Sequence, residues 1–463
     1  MTQKFNIKEQ LSVFLIILVI VVAQLLLLKK LGLYEVILGI NGIILVVFLL
    51  INSTKKFYNI LIVIYFLPLL LLNNNLHYSF KVELVFALPL FLLGFYTLFL
   101  FILRNQKEKT NSDLTRPVLL FVFYFLFSAV LGLSFGNNMG YILVETFHVL
   151  LLGSIILFKY NLTSREDYYY IFKWLLIISL LISLEYIFFG ILISGNRFVT
   201  FQSGFLPLVT GILFSYFLFT ENKFKKIIVL GVIIIVILGM ISTLTRSLWV
   251  TTIITMGMVY VLYLWSKNML TTVKKIVLVI LMIVVSLLVI QTVKNTKPNN
   301  TISTSKNLDE RAQSIANPSE DHSFLMRVEL GWYAIQKITE KPIFGWGLGD
   351  VLQYRLLGNN KLRNSYLDTV WLYFLWKGGI IGLLLILFVF FRSIVVSLRI
   401  ISKTSDQNVK ILIVGLLSGI IGILILGFLS PLIIKYRTNV IFAFIWAYLE
   451  FELNKLKITG KIT

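Results

Sequence analysis

The sequence of 463 residues contains no cysteine, so disulfides, thiolate metal sites and cysteine nucleophiles are all excluded. It holds only three histidines, His77, His148 and His322, too few for a histidine-rich metal centre. Charge is scarce at 14% of residues, and acidic residues are the scarcer sign, 21 against 42 basic. Long hydrophilic stretches are scarcer still, with one segment of that kind, Lys294 to Asn364. A chain with so little polar surface cannot cover a water-soluble domain. What fills it is apolar, 58% of residues, in runs that recur from Leu11 almost to the C-terminus.

A span needs roughly 20 apolar residues to cross about 30 Å of hydrocarbon. Runs of that kind lie near Leu11–Leu28, Leu33–Ile51, Phe57–Leu72, Phe80–Leu103, Pro117–Phe135, Met139–Phe158, Ile171–Ile193, Thr200–Phe219, Ile227–Thr243, Ser247–Trp265 and Ile276–Val293. Beyond the hydrophilic segment come Ser365–Phe391, Val409–Ser430 and a short last run, Val440–Leu453. The expected fold is an all-α, polytopic transmembrane bundle of twelve to about fourteen spans, with one large loop holding short amphipathic helices. The first run is followed by Lys29-Lys30 instead of a small-residue cleavage site, so it reads as a retained helix.

The net charge of +21 is spread over many short loops and forms no basic domain, which argues for membrane orientation and lipid contact and against nucleic acid. Alternate loops carry the excess, among them Lys55-Lys56, Lys159 and Arg165, Lys223 to Lys226, and Arg392 to Lys410. The positive-inside bias therefore puts both termini in the cytoplasm and the long loop outside a cell membrane. Four divisions follow: N-terminal spans over 1–193, central spans with arginine-bearing outer ends over 194–293, the outer loop over 294–364, and C-terminal spans over 365–463.

Charge inside a membrane is costly, so the few ionisable groups within spans stand out: Glu35, Glu83, Glu145, Glu185 and His148. Each acid is most simply read as part of an internal hydrogen bond or ion pair. Arg246 is more informative, because Ser242 to Trp249 is a polar break between two apolar runs with no room for a free loop. A guanidinium there offers a planar fork of donors suited to phosphate oxygens, or else caps a helix or snorkels. Arg197, in Ser194-Gly195-Asn196-Arg197-Phe198, has the same two readings.

Within the loop, apolar periodicity from Phe324 to Ile338 predicts an amphipathic helix on the membrane surface, ended by Lys341-Pro342. The glycines of Gly345-Trp346-Gly347-Leu348-Gly349-Asp350 match neither a phosphate loop nor a dinucleotide turn, and are read as a tight turn back toward the membrane.

Four motifs then follow in order: Arg197-Phe198 before a span; Leu244-Thr245-Arg246-Ser247 between two spans; Arg327 followed by Glu340-Lys341-Pro342-Ile343-Phe344-Gly345-Trp346-Gly347-Leu348-Gly349; and Asn364-Ser365-Tyr366-Leu367 before Gly378-Gly379-Ile380-Ile381-Gly382. Together they resemble the O-antigen ligase and polymerase superfamily over about Arg197 to Phe391. The resemblance implies a membrane glycosyltransferase that uses undecaprenyl-diphosphate-linked oligosaccharide on the outer face, without metal or nucleotide-sugar cofactor. It implies that Arg246 and Arg197 stabilise the departing diphosphate, with Arg327 as an auxiliary contact. Inward arginines in a low-dielectric site suit that task.

One departure matters. Many members have His-Asn where this chain has Arg363-Asn364, and arginine cannot act as the base assigned to that histidine. His322, Asp350 or Asp368 could take the role, the acceptor could lose its proton late, or Arg363 could be a further phosphate contact beside Asn364. The expected activity is polymerisation of repeat units into a capsule, exopolysaccharide or O-antigen chain, with a flippase and a chain-length regulator as candidate partners. Transfer of a finished glycan to another acceptor is the alternative within the family. A polysaccharide or lipid transporter is the alternative outside it.

Overall fold

The computed structural model describes residues 113–187, 203–243, 245–267, 322–356, 360–367, 369–428 and 436–460. The four runs before Arg104, the run Ile276–Val293, Arg197 and Asp368 lie outside the described residues. Those described form α1 (Thr115–Ser134), α2 (Met139–Leu150), α3 (Ile155–Asn161), α4 (Arg165–Ile187), α5 (Leu206–Phe219), α6 (Lys223–Ser242), α7 (Arg246–Ser266) and α8 (His322–Glu340). There follow the strands β1 (Leu352–Leu356) and β2 (Asn360–Asn364), then α9 (Val370–Lys403), α10 (Gln407–Leu426) and α11 (Tyr436–Ile458). Among the described residues, seven helical segments are long and apolar enough to cross a membrane. The protein is thus an all-α polytopic membrane protein, with one antiparallel hairpin among the described residues.

Local chemistry sets the helix ends. Asn138, Asn222 and Asp406 each accept backbone N–H bonds in the first turn of α2, α6 and α10, and Pro207 occupies the first turn of α5, where its missing N–H costs nothing. Charge marks the edge of the hydrocarbon, not the end of the helix. The run expected to stop at Phe391 continues as α9 through Arg392 and Arg399 to Lys403, and the short last run Val440–Leu453 lies within the longer α11.

The bundle is built around α10, whose apolar window is 78% buried against 22% for peripheral α6. Close approach depends on small residues. Gly415 of α10 lies against the backbone of Ile212 on α5, Gly419 lies against Leu208, and Gly422 faces Thr251 and Thr255 of α7. In lipid, where apolar surface gains nothing by leaving its solvent, such backbone proximity supplies the packing energy.

One end of the bundle is closed by ion pairs. Glu450 of α11, fully buried, accepts from Thr115 N at 2.8 Å, Thr115 Oγ1 at 2.6 Å and Lys159 Nζ at 2.5 Å. Its neighbour Glu452 takes Arg165 in a two-pronged pair at 2.6 Å, and Arg165 also reaches Asp406 at 2.8 Å. Asp113 pairs with Arg392 and Lys457. The loop basic residues Lys159, Arg165 and Arg392, which the charge bias assigns to one side of the membrane, are thus gathered at one end, where they neutralise carboxylates that would otherwise be stranded.

The Gly415 contact yields a test. A side chain at Gly415 would meet Ile212 Cα at 2.5 Å and Gly211 O at 2.9 Å. Gly415→Leu is expected to push α5 from α10, at a cost of about 1–3 kcal/mol for overpacking, and to lower the temperature at which the detergent-solubilised protein loses its monodisperse elution peak. Gly231→Leu, where nothing lies within 4 Å, is expected to leave that temperature unchanged.

Candidate active site

The opposite end of the bundle is organised by a break in a membrane helix. At Gly379 of α9 the backbone leaves helical geometry with φ 62° and ψ −167°, which frees the carbonyls of the preceding turn. Those groups have partners. Trp346 N donates to Trp376 O at 2.9 Å, Gly347 N to Lys377 O at 3.0 Å, Ser128 Oγ to Lys377 O at 3.0 Å and Tyr124 Oη to Gly378 O at 2.5 Å. In return Ile380 N donates to Pro342 O at 2.8 Å. The segment 341–350 is therefore a return loop inserted between α1 and the break, in line with the turn expected from its spaced glycines.

The glycines are dictated by that insertion. Gly345, Gly347 and Gly349 all have φ between 73° and 78°, in the left-handed region. A Cβ on Gly345 would stand 2.6 Å from Lys377 O, and one on Gly347 would stand 2.6 Å from Gly132 Cα and 2.9 Å from Ser128 O. Across the loop, Asn137 Nδ2 donates to Trp346 O and Leu348 O at 2.9 and 3.0 Å. Lys341 lies over the rings of Phe135 and Trp346, its Nζ 3.1 and 4.0 Å from their centroids.

Beneath the loop lies a cluster of buried charge. Lys377 and Glu145, both with fully enclosed side chains, pair at 2.8 Å. The second Lys377 bond runs to Asp350 O at 2.6 Å, and Glu145 Oε2 accepts from Gly349 N at 2.7 Å. Asp350 accepts from Trp376 Nε1 at 2.7 Å, and its carboxylate pairs with Lys337 of α8 at 2.6 Å. Glu145 thus fulfils the internal ion-pair reading. Asp350 is held by Trp376 and Lys337. Lys377 carries no signal in the sequence beyond its place before two glycines, because its partner lies 232 positions away.

The expected site residues distribute as follows. Arg246 is the first residue of α7. Leu248, two residues on, packs with Leu426 at the end of α10, and the adjacent Gly427 O accepts from Val370 N at 2.8 Å, where α9 begins. The start of the Arg246 helix is therefore beside the point where the chain enters α9. Arg363 and Asn364 close β2, opposite Gln353 and Leu352 in the hairpin register, seven and six residues before Val370. Arg327 is half-buried on α8, whose buried face of Leu330, Ala334 and Ile338 bears out the helical periodicity, and His322 opens that helix. Arg197 and Asp368 are outside the described residues. Among the described residues, no three His, Asp or Glu side chains gather closely enough to hold a metal ion. The hairpin was not expected from the sequence, its strands being short and polar.

A family model described as O-antigen ligase matches residues 231–387. That stretch belongs to the O-antigen ligase and polymerase superfamily. It takes in Arg246, Arg327, the return loop, Arg363 and Lys377, and begins after Arg197. The match covers about a third of the chain and supports a membrane glycosyltransferase of the ligase or polymerase type. No curated protein matches the chain.

The return loop of this glycosyltransferase can be probed at Gly347. Gly347→Ala combines a left-handed backbone with a collision against Gly132, and is expected to cost about 1–3 kcal/mol. Cleavage of the loop by added protease in intact membranes should become at least several-fold faster, whereas Gly136→Ala, with nothing within 4 Å, should change it much less.

Proposed function

We propose that this protein polymerises undecaprenyl-diphosphate-linked oligosaccharide repeat units into a surface polysaccharide on the outer face of the cell membrane, with both termini in the cytoplasm. The growing chain leaves its lipid diphosphate and joins a hydroxyl of the next unit, so one glycosidic bond forms as the sugar–phosphate bond breaks. Negative charge develops on the departing diphosphate, and guanidinium groups already in place balance it without reorganisation. Arg246 and Arg197 take that role, Arg327 assists from the loop, and Arg363 with Asn364 contacts donor or acceptor.

The observation that carries this reading is the placement of Arg246. Leu248–Leu426 packing and the Val370–Gly427 bond bring the start of α7 beside the start of α9, which follows Arg363-Asn364 closely in the chain. The match over 231–387 spans both partners of that encounter. The description of the matched family favours a second reading of the same site, in which a finished glycan is transferred to a different acceptor.

In a strain lacking its own copy, Arg246→Ala and Arg197→Ala are expected to reduce long-chain polysaccharide on the order of 100-fold while membrane abundance holds. Normal chain lengths from both variants would remove the arginine model. Purified protein given only lipid-linked repeat units separates the two transfer readings, since a polymerase builds a ladder of products and a ligase leaves the units single. Arg363→His decides the part played by that residue. Retained transfer means that the Arg363 guanidinium is not a required phosphate contact, and a loss on the order of 10-fold or more assigns it to that contact.

A further inference from the structure

We infer that Lys377, Glu145 and Asp350 form a positioning unit that holds the hairpin bearing Arg363 and Asn364, together with the helix bearing Arg327, at a fixed place over the break in α9. The inference rests on the glycosyl-transfer reading of those residues, but its geometry stands on this structure alone.

Stability does not account for the arrangement. Two fully enclosed charges gain little over a well-packed apolar pair, because desolvation offsets their attraction. What the charges add is direction. Lys377 Nζ donates to the Asp350 carbonyl and Glu145 accepts from the Gly349 N–H, so the pair holds backbone groups of two consecutive loop residues by opposite polarities. An apolar pair could not tell one loop register from another.

The Asp350 side chain extends the grip to two more elements, through Trp376 of α9 and Lys337 of α8. Lys337 Nζ also reaches Val351 O at 3.3 Å. The next residue, Leu352, opens β1 and pairs with Asn364. A two-stranded hairpin of this length is marginal by itself, so its orientation must come from its base. That base is one residue from Asp350. With Lys337 counted, two ammonium groups and two carboxylates sum to zero, so the cluster adds no net charge to compete with the arginines for a diphosphate.

The absence of cysteine makes the geometry measurable in the full chain. Spin labels at Gln353→Cys, on the exposed side of β1, and at Ile253→Cys, on the outward face of α7, report the distance between the hairpin and the Arg246 helix. In the labelled parent a narrow distribution is expected, together with transfer of lipid-linked oligosaccharide. Combining Lys377→Met with Glu145→Gln should broaden the distribution and lower kcat on the order of 100-fold, with elution and melting as in the parent. The exchange Glu145→Lys with Lys377→Glu should rescue neither, because the Gly349 N–H would then face an ammonium and the Asp350 carbonyl a carboxylate. Where the first combination fails to insert, Trp376→Phe, which removes one donor to Asp350, should broaden the distribution more modestly.

Parent-like distances and kcat in the uncharged combination overturn the inference. So does recovery of both in the exchange variant, which would reduce the pair to charge balance. Unchanged distances with lost kcat also overturn it, because they assign Lys377 or Glu145 a direct role. Absence of transfer in the unlabelled parent would instead sink the glycosyl-transfer reading and leave the distance result to stand separately.

Discussion

A broken helix in a membrane must find partners for its backbone, and here the partner is the chain's own return loop. The turn before Gly379 releases carbonyls that lipid cannot satisfy, and the loop brings the N–H groups of Trp346 and Gly347 to them. The dependence is mutual, since Ile380 N needs Pro342 O. Neither the break nor the loop is stable alone, so the two were specified together, by Lys377-Gly378-Gly379 on one side and Gly345-Trp346-Gly347 on the other. Everything mounted on the loop, from α8 to the hairpin, takes its position from this exchange.

The two ends of the bundle use charge differently. At the Arg165 end, acids of α11 meet basic residues from α3 and α4, and a two-pronged guanidinium pair joins helices that share little sequence proximity. These contacts are partly open to solvent and anchor the helices to one another. At the Arg246 end the charges are enclosed and act on backbone groups of an irregular segment. The first arrangement fixes a frame. The second orients a loop within it, which is the more demanding task, because an irregular segment lacks the internal bonds of a helix.

Much of the fold was legible because hydrophobic length in a membrane is nearly a direct readout of helices. The spans near Pro117–Phe135, Ile227–Thr243 and Ser247–Trp265 agree with α1, α6 and α7 to within a few residues. The α8 periodicity and the turn at the spaced glycines were legible too, each a local property. Glu145 announced itself as an acid within a span, but nothing in the sequence identifies its partner, since Lys377 and Glu145 meet only once α2 and α9 are packed. The hairpin was invisible for a related reason. Leu352-Gln353-Tyr354-Arg355-Leu356 does alternate, but over only five residues, and Asn360 to Asn364 offers one apolar residue, Leu362, so the hairpin is directed from its base by contacts distant in sequence.

That division bears on the chemistry. The arginines were found by their cost, since a guanidinium at an outer helix end between apolar runs asks for an explanation. The groups that hold them were not, since a lysine before two glycines looks like the polar edge of a span. Asp350 shows the hazard most clearly. By sequence it is a carboxylate near a departed histidine and thus a candidate base; in the fold its oxygens are engaged by an indole and an ammonium. A carboxylate so held ties the return loop to α8 and α9. Residue type and proximity in sequence therefore select the groups that could react, but the partners supplied by the fold decide which of them remain available to do so.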